Sequence, residues 1–157
     1  MSLHDTLITL QNSGLAHLVS KSNHLFGAAL QIVHVSGFIL LLSSLVLVSL
    51  RILRVVLKDQ NLVDVTNDAG RLFWWGLGLA VTSGALMFIS TATLYAYKWA
   101  FQLKLALFAF ALILQFTLFR KVARSDATNP LIAKGTVIAS LMAWFGVGFA
   151  GRMIGFI

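Results

Sequence analysis

Between Lys21 and Arg51 the chain carries no charged side chain. The run Leu25–Leu50, LFGAALQIVHVSGFILLLSSLVLVSL, exceeds the roughly 20 apolar residues that a bilayer span needs. In hydrocarbon each backbone N–H and C=O has to be paired within its own segment, so such a run is an α-helix. One histidine, His34, lies inside it, with Gln31 one turn earlier. At a rise of 1.5 Å per residue His34 sits roughly 13 Å below the start of the span. An ionisable group at that depth is costly, which makes His34 the first functional-site candidate. No other predicted span contains a histidine.

Composition agrees with a membrane solution. Hydrophobic residues make up 59% of the 157 and charged residues 11%, against roughly 45–50% and about 25% in soluble domains. The expected fold is an all-α integral membrane protein, one compact unit whose core is a helix bundle in lipid. Net charge is +7, with no glutamate. The positives read as topology signals at helix ends rather than as a nucleic-acid surface, so no nucleic-acid partner is expected. Cysteine is absent, which removes disulfides, thiolate metal sites, iron–sulfur clusters and covalent haem attachment. Leu25–Leu50 is too long for a signal peptide and no small-residue cleavage site follows it, so it is expected to remain as a span.

Residues 1–24 are mixed in polarity and form an N-terminal amphipathic interfacial segment. Ser2 and Asp5 make a capping-box-like start, and Leu3, Leu7 and Leu10 share a helical face, continued by Leu15 and Leu18. The transmembrane domain is residues 25–157, with spans at about 25–50, 72–94, 99–119 and 131–154. Arg51, Arg54 and Lys58 suggest that the first helix runs on into water. Asp59 to Gly70 reads as a polar connection. Trp74 and Trp75, then Tyr95, Tyr97 and Trp99, mark the interfaces of the second span. Gly76, Ala80 and Gly84 form a small-xxx-small stripe, and Gly151 and Gly155 form another. Asn129-Pro130 starts the last helix. Short connections make the four helices an up-down antiparallel bundle.

Eight positives flank the connections after spans one and three: Arg51, Arg54, Lys58, Arg71, Arg120, Lys121, Arg124 and Lys134. Four lie on the other side: Lys21, Lys98, Lys104 and Arg152. The excess places the first set in the cytoplasm. The expectation is a multi-pass protein of the bacterial inner (plasma) membrane with both termini periplasmic.

The polar residues then gather in the outer half. Gly27, Gln31, His34 and Gly37 share one face of the first span, and small residues beside a histidine leave room for a flat group. Haem b is the first cofactor expectation: His34 as ligand, Lys104 and Arg152 as cations for propionates, and Met87, His24 or His17 as the second ligand. Copper held by His34 and thioethers is a lesser alternative, and no cofactor is a third. No catalytic constellation is present, so the chain leans non-enzymatic. The functional expectations are electron transfer at haem, an accessory or homo-oligomeric subunit packed through its glycine stripes, or transport of a metal ion or small solute past His34, Gln31 and Gln115. Partners beyond the bilayer would be further copies, a redox protein or a membrane complex. Ser43 and Ser44 read as hydroxyls bonded to their own or a partner helix.

Four stretches together, IVHVSG, SLRILR, RLFWWGLGLAVTSGALMF and FQLKLAL, resemble an uncharacterised family of small bacterial four-helix inner-membrane proteins. The resemblance singles out His34, Arg51, Arg54, Gly84, Phe88, Phe101 and Lys104. It implies the four-helix fold and is distantly similar to CopD-like copper-resistance proteins and small b-type cytochromes.

Overall fold

The computed structural model describes residues 3–21, 24–125 and 129–156. Its elements are α1 (Leu3–Gln11), α2 (Gly14–Lys21), α3 (His24–Ile52), α4 (Leu62–Ser90), α5 (Ala92–Tyr95), α6 (Trp99–Leu114), a π-helical turn (Gln115–Phe119), α7 (Arg120–Ala123) and α8 (Pro130–Met153). Ser2 and Asp126, and the side chains of Leu3, Leu15, Leu18, Lys21 and His24, lie outside the described residues. Among the described residues four stretches are long and apolar enough to cross a membrane: Leu25–Ile52, Leu62–Ser90, Trp99–Ala123 and Pro130–Met153.

These spans form two pairs, α3 along α4 and α6 along α8, with a smaller contact between α3 and α8. Both pairs are antiparallel. As α3 positions rise from His34 through Gly37 to Ser44, their α4 partners fall from Gly84 through Ala80 to Ala69. On the other side Lys104 meets Gly151 and Leu107 meets Gly146. One end of the bundle therefore carries α1, α2, α5 and the end of α8 (the terminal end), and the other carries the connection 53–61, α7 and the start of α8 (the loop end).

Two boundaries differ from the sequence expectation. The second long helix starts at Leu62, inside the stretch Asp59 to Gly70 that reads as a polar connection. Asn61 caps it, its side chain accepting from the Val63 N–H at 2.9 Å. Asp64 in the first turn suits the positive end of the helix dipole. Leu62, Val65, Ala69, Phe73, Gly76, Ala80 and Ser83 are buried at helical spacing, so the apolar stripe runs straight through the supposed polar connection. The first helix, in turn, stops at Ile52 instead of running on through Lys58. Arg54 and Leu57 take left-handed φ values of 56° and 55°, which an α-helix does not allow. Arg51 is buried and donates its Nε–H to the Gln60 carbonyl at 2.9 Å, bracing the connection rather than reaching into water.

The N-terminal helices cap the terminal end. α2 packs on α4 and α1 on α5, with Leu7 and Ala16 buried. The Gln11 side-chain carbonyl accepts from both the N–H (3.1 Å) and the hydroxyl (2.6 Å) of Thr93.

The core is centred on Trp144, 1% exposed. Its ring meets Phe73 of α4 and Phe108 of α6 edge-on, with centroids 5.7 and 5.9 Å away. Leu41, Leu45, Val137 and Val147 close around it. Towards the terminal end α3 and α4 touch backbone to backbone. A Cβ on Gly76 would lie 2.6 Å from the Gly37 carbonyl oxygen and the Leu41 nitrogen. Only glycine fits such an approach. The stripe Gly76, Ala80, Gly84 is thus covered by α3 of the same chain. Ser44 adds a hydroxyl bond across this seam to the Ala69 carbonyl.

Candidate functional site

The backbone approach at Gly37 determines where His34 lies. With α3 seated on Gly76 and Ala80, the imidazole one turn before Gly37 rests over the next turn of α4. His34 Nδ1 is 2.7 Å from the Ala80 carbonyl oxygen. A carbonyl only accepts, so Nδ1 carries the proton and donates it. Ser83 Oγ stands 3.3 Å from the same nitrogen and donates to the Leu79 carbonyl. A Cβ on Gly84 would lie 2.8 Å from His34 Cε1, so glycine there makes room for the ring. With Nδ1 protonated, the lone pair of the neutral ring is on Nε2, and Lys104 Nζ lies 3.5 Å from it.

Lys104 approaches from α6, its aliphatic end passing over Gly151 of α8. A Cβ at Gly151 would lie 3.5 Å from both Cε and Nζ of Lys104. All four spans thus contribute to one partly buried cluster: His34 from α3, Ala80, Ser83 and Gly84 from α4, Lys104 from α6 and Gly151 from α8. One turn nearer the terminal end Phe88 of α4 stacks on Phe101 of α6, centroids 4.9 Å apart and planes 3° from parallel. His34, Gly84, Phe88, Phe101 and Lys104, five of the residues that carry the family resemblance, therefore meet in one place. Arg51 and Arg54 lie at the loop end.

Other site candidates are not gathered here. Gly27 is exposed and a Cβ on it would meet nothing within 4 Å. Gln31 is exposed. Gly37 is spent on helix contact, leaving no slot for a flat group. Arg152 is exposed and lies over the Phe156 ring, 5.1 Å from its centroid. Met87 is partly buried one turn beyond Ser83, and His17 is exposed on α2. Among the described residues no three His, Cys, Asp or Glu side chains gather as a metal site. Gln115 lies at the loop end, and Leu41, Leu45 and Trp144 fill the interior between it and His34.

Ser83 escaped the sequence reading. Its signal was its place on the stripe Gly76, Ala80, Ser83, at the three- and four-residue spacing of a face that takes another helix.

The model of a family of unknown function matches residues 11–157. No curated protein and no solved structure matches the chain.

Proposed function

The chain belongs to that family, DUF6644, and we propose that it serves as a non-enzymatic, proton-responsive membrane protein whose two helical hairpins are latched by His34 and Lys104. The observation that carries this reading is the 3.5 Å approach of Lys104 Nζ to His34 Nε2, which joins the α3–α4 pair to the α6–α8 pair. With Nδ1–H given to Ala80, the neutral ring accepts from the ammonium through Nε2. A proton taken up at Nε2 abolishes that acceptor and sets two cations side by side. At an effective dielectric near 20 such a pair repels by about 4 kcal/mol. The carboxylates of the chain are Asp5, Asp59, Asp64, Asp68 and Asp126, and the two on α4, Asp64 and Asp68, stand in its first two turns, at the opposite end of the helix from Gly84. Lys104 then swings along the side-chain-free surface of Gly151 towards the interface, and the hairpins part at the terminal end. The excess of positives at the loop end supports an inner-membrane orientation with the termini in the periplasm, so the latch responds to the outer pH.

The absence of cysteine makes the test direct. Spin labels at Val81→Cys and Leu105→Cys, exposed positions on α4 and α6, report the hairpin separation in liposomes. The distance is expected to lengthen between pH 8 and pH 4, and to be insensitive to pH in Lys104→Met. A distance unchanged by pH in the parent protein would rule the latch out.

A second reading keeps His34 as a haem ligand. One observation favours it: an imidazole that donates Nδ1–H to a carbonyl is oriented as metal-ligating histidines are, with Nε2 free to bind. In this arrangement, however, Lys104 occupies the position facing Nε2 and Gly84 abuts Cε1, so haem does not fit until Lys104 withdraws. Haem-replete protein would then show a Soret band in Lys104→Met that disappears on adding His34→Ala. Its absence from Lys104→Met counts against this reading.

A further inference from the structure

At the loop end a cavity of about 260 Å³ opens between α3, α4 and the π-helical turn. Three arginines line it, Arg71 from α4 and Arg120 and Arg124 from the segment after the π-helical turn, and among the described residues no carboxylate does. We propose that this cavity binds the phosphate of an anionic glycerophospholipid headgroup. Guanidinium groups present paired N–H donors that match phosphate oxygens. Cations at a membrane helix end ordinarily stand apart in water as topology signals. Here three converge on one hollow, and a second observation stands beside them.

That observation is Gln115. The π-helical turn begins at this residue, and π-bulges recur at functional sites. Gln115 lines the cavity, and its Oε1 is buried without a hydrogen-bond partner. A buried acceptor left unpaired is costly, so it calls for a donor. Phosphodiester oxygens satisfy the arginines but supply no donor. A headgroup that also bears a hydroxyl, such as glycerol, supplies both once the Gln115 amide turns towards the hollow. The walls favour a lipid over free phosphate. Leu45, Val48, Phe73 and Phe119 make much of the lining, and the exposed rings of Trp74 and Phe116, 5.5 Å apart, stand beside it.

The test uses the full chain in neutral detergent, with binding followed by native mass spectrometry. The probes are dioctanoyl phosphatidylglycerol, dioctanoyl phosphatidylcholine and inorganic phosphate. Phosphatidylglycerol is expected to bind about tenfold or more tighter than phosphatidylcholine, and Arg71→Gln/Arg120→Gln/Arg124→Gln to weaken it on the order of 100-fold. Gly70 also lines the cavity, and a Cβ there meets nothing within 4 Å. Gly70→Leu therefore fills the hollow without altering charge, and is expected to remove binding even if the triple variant fails to fold. Arg54→Gln/Lys58→Gln, at the same end but not in the lining, is expected to leave the preference intact. Full binding by Gly70→Leu, or an equal loss in Arg54→Gln/Lys58→Gln, would show general charge attraction and overturn the proposal. Inorganic phosphate binding as tightly as phosphatidylglycerol would overturn the lipid assignment.

Discussion

His34 Nε2 and Lys104 Nζ stand 3.5 Å apart, seventy residues removed in sequence, and tie α3 to α6. Each residue alone would be costly in an apolar bundle. Placed together, with Ala80 fixing the proton on Nδ1, each supplies what the other lacks. The pair should therefore be energetically coupled. In a double-mutant cycle of His34→Phe and Lys104→Met, followed by unfolding in detergent, a favourable coupling of about 0.5–2 kcal/mol is expected, the range for polar pairs between membrane helices. Additive single effects would mean that the contact contributes no coupling energy.

Gly84 is the steric condition for this pairing. In Gly84→Ala the new methyl would lie 2.8 Å from His34 Cε1, so the ring has to leave Ala80 or Lys104. A loss of about 1–3 kcal/mol is expected, as for overpacking elsewhere. Gly78 on the same helix has open space around its Cβ position. Gly78→Ala should be neutral, or more stable by up to about 1 kcal/mol through helix propensity. Thermal unfolding of the two variants side by side checks the contrast. Equal effects would show that His34 is not held against Gly84.

Much of this was readable from hydropathy. A bilayer fixes how long an apolar helix has to be, and that length marks four spans. It does not mark where a helix leaves the membrane. Asp59, Asp64 and Asp68 made Asp59 to Gly70 look like a connection, although Leu62, Val65 and Ala69 already carried the buried stripe of α4. His34 and Lys104 were each visible as expensive residues. Their contact was not, because α3 and α6 are apolar on nearly every face and show no periodicity that orients them. The Gly76–Ala80–Gly84 stripe announced a close helix neighbour, and only the fold shows that neighbour to be α3 of the same chain.

The connection 53–61 stores backbone strain. Arg54 and Leu57, neither of them glycine, hold φ values of 56° and 55°, a conformation costing roughly 1–2 kcal/mol per residue. Leu57→Gly should therefore stabilise the protein by up to about 1 kcal/mol once the added freedom of the unfolded chain is subtracted. Arg51→Met should act in the opposite direction. It frees the Gln60 carbonyl from the buried guanidinium, with an expected loss of about 1–3 kcal/mol. Denaturation midpoints of the two variants should move to opposite sides of the parent, and movement in the same direction would contradict this account of the connection.

The proton on His34 can be observed directly. A carbonyl cannot donate, so the 2.7 Å contact with Ala80 requires Nδ1–H in both charge states of the ring. In the neutral state the lone pair is then on Nε2, facing Lys104. Selectively ¹⁵N-labelled histidine should show a protonated Nδ1 and an unprotonated Nε2 for His34 at pH 8. Lys104→Met should leave that tautomer unchanged, because Ala80 sets it and the lysine only uses it. Ala80 is a main-chain partner, so no side-chain change at residue 80 removes it. Gly84→Ala, which displaces the ring, should instead return His34 to the mixed tautomers of a solvated imidazole. An Nε2–H tautomer in the parent protein would leave the Ala80 carbonyl without its donor and Lys104 without an acceptor on the ring.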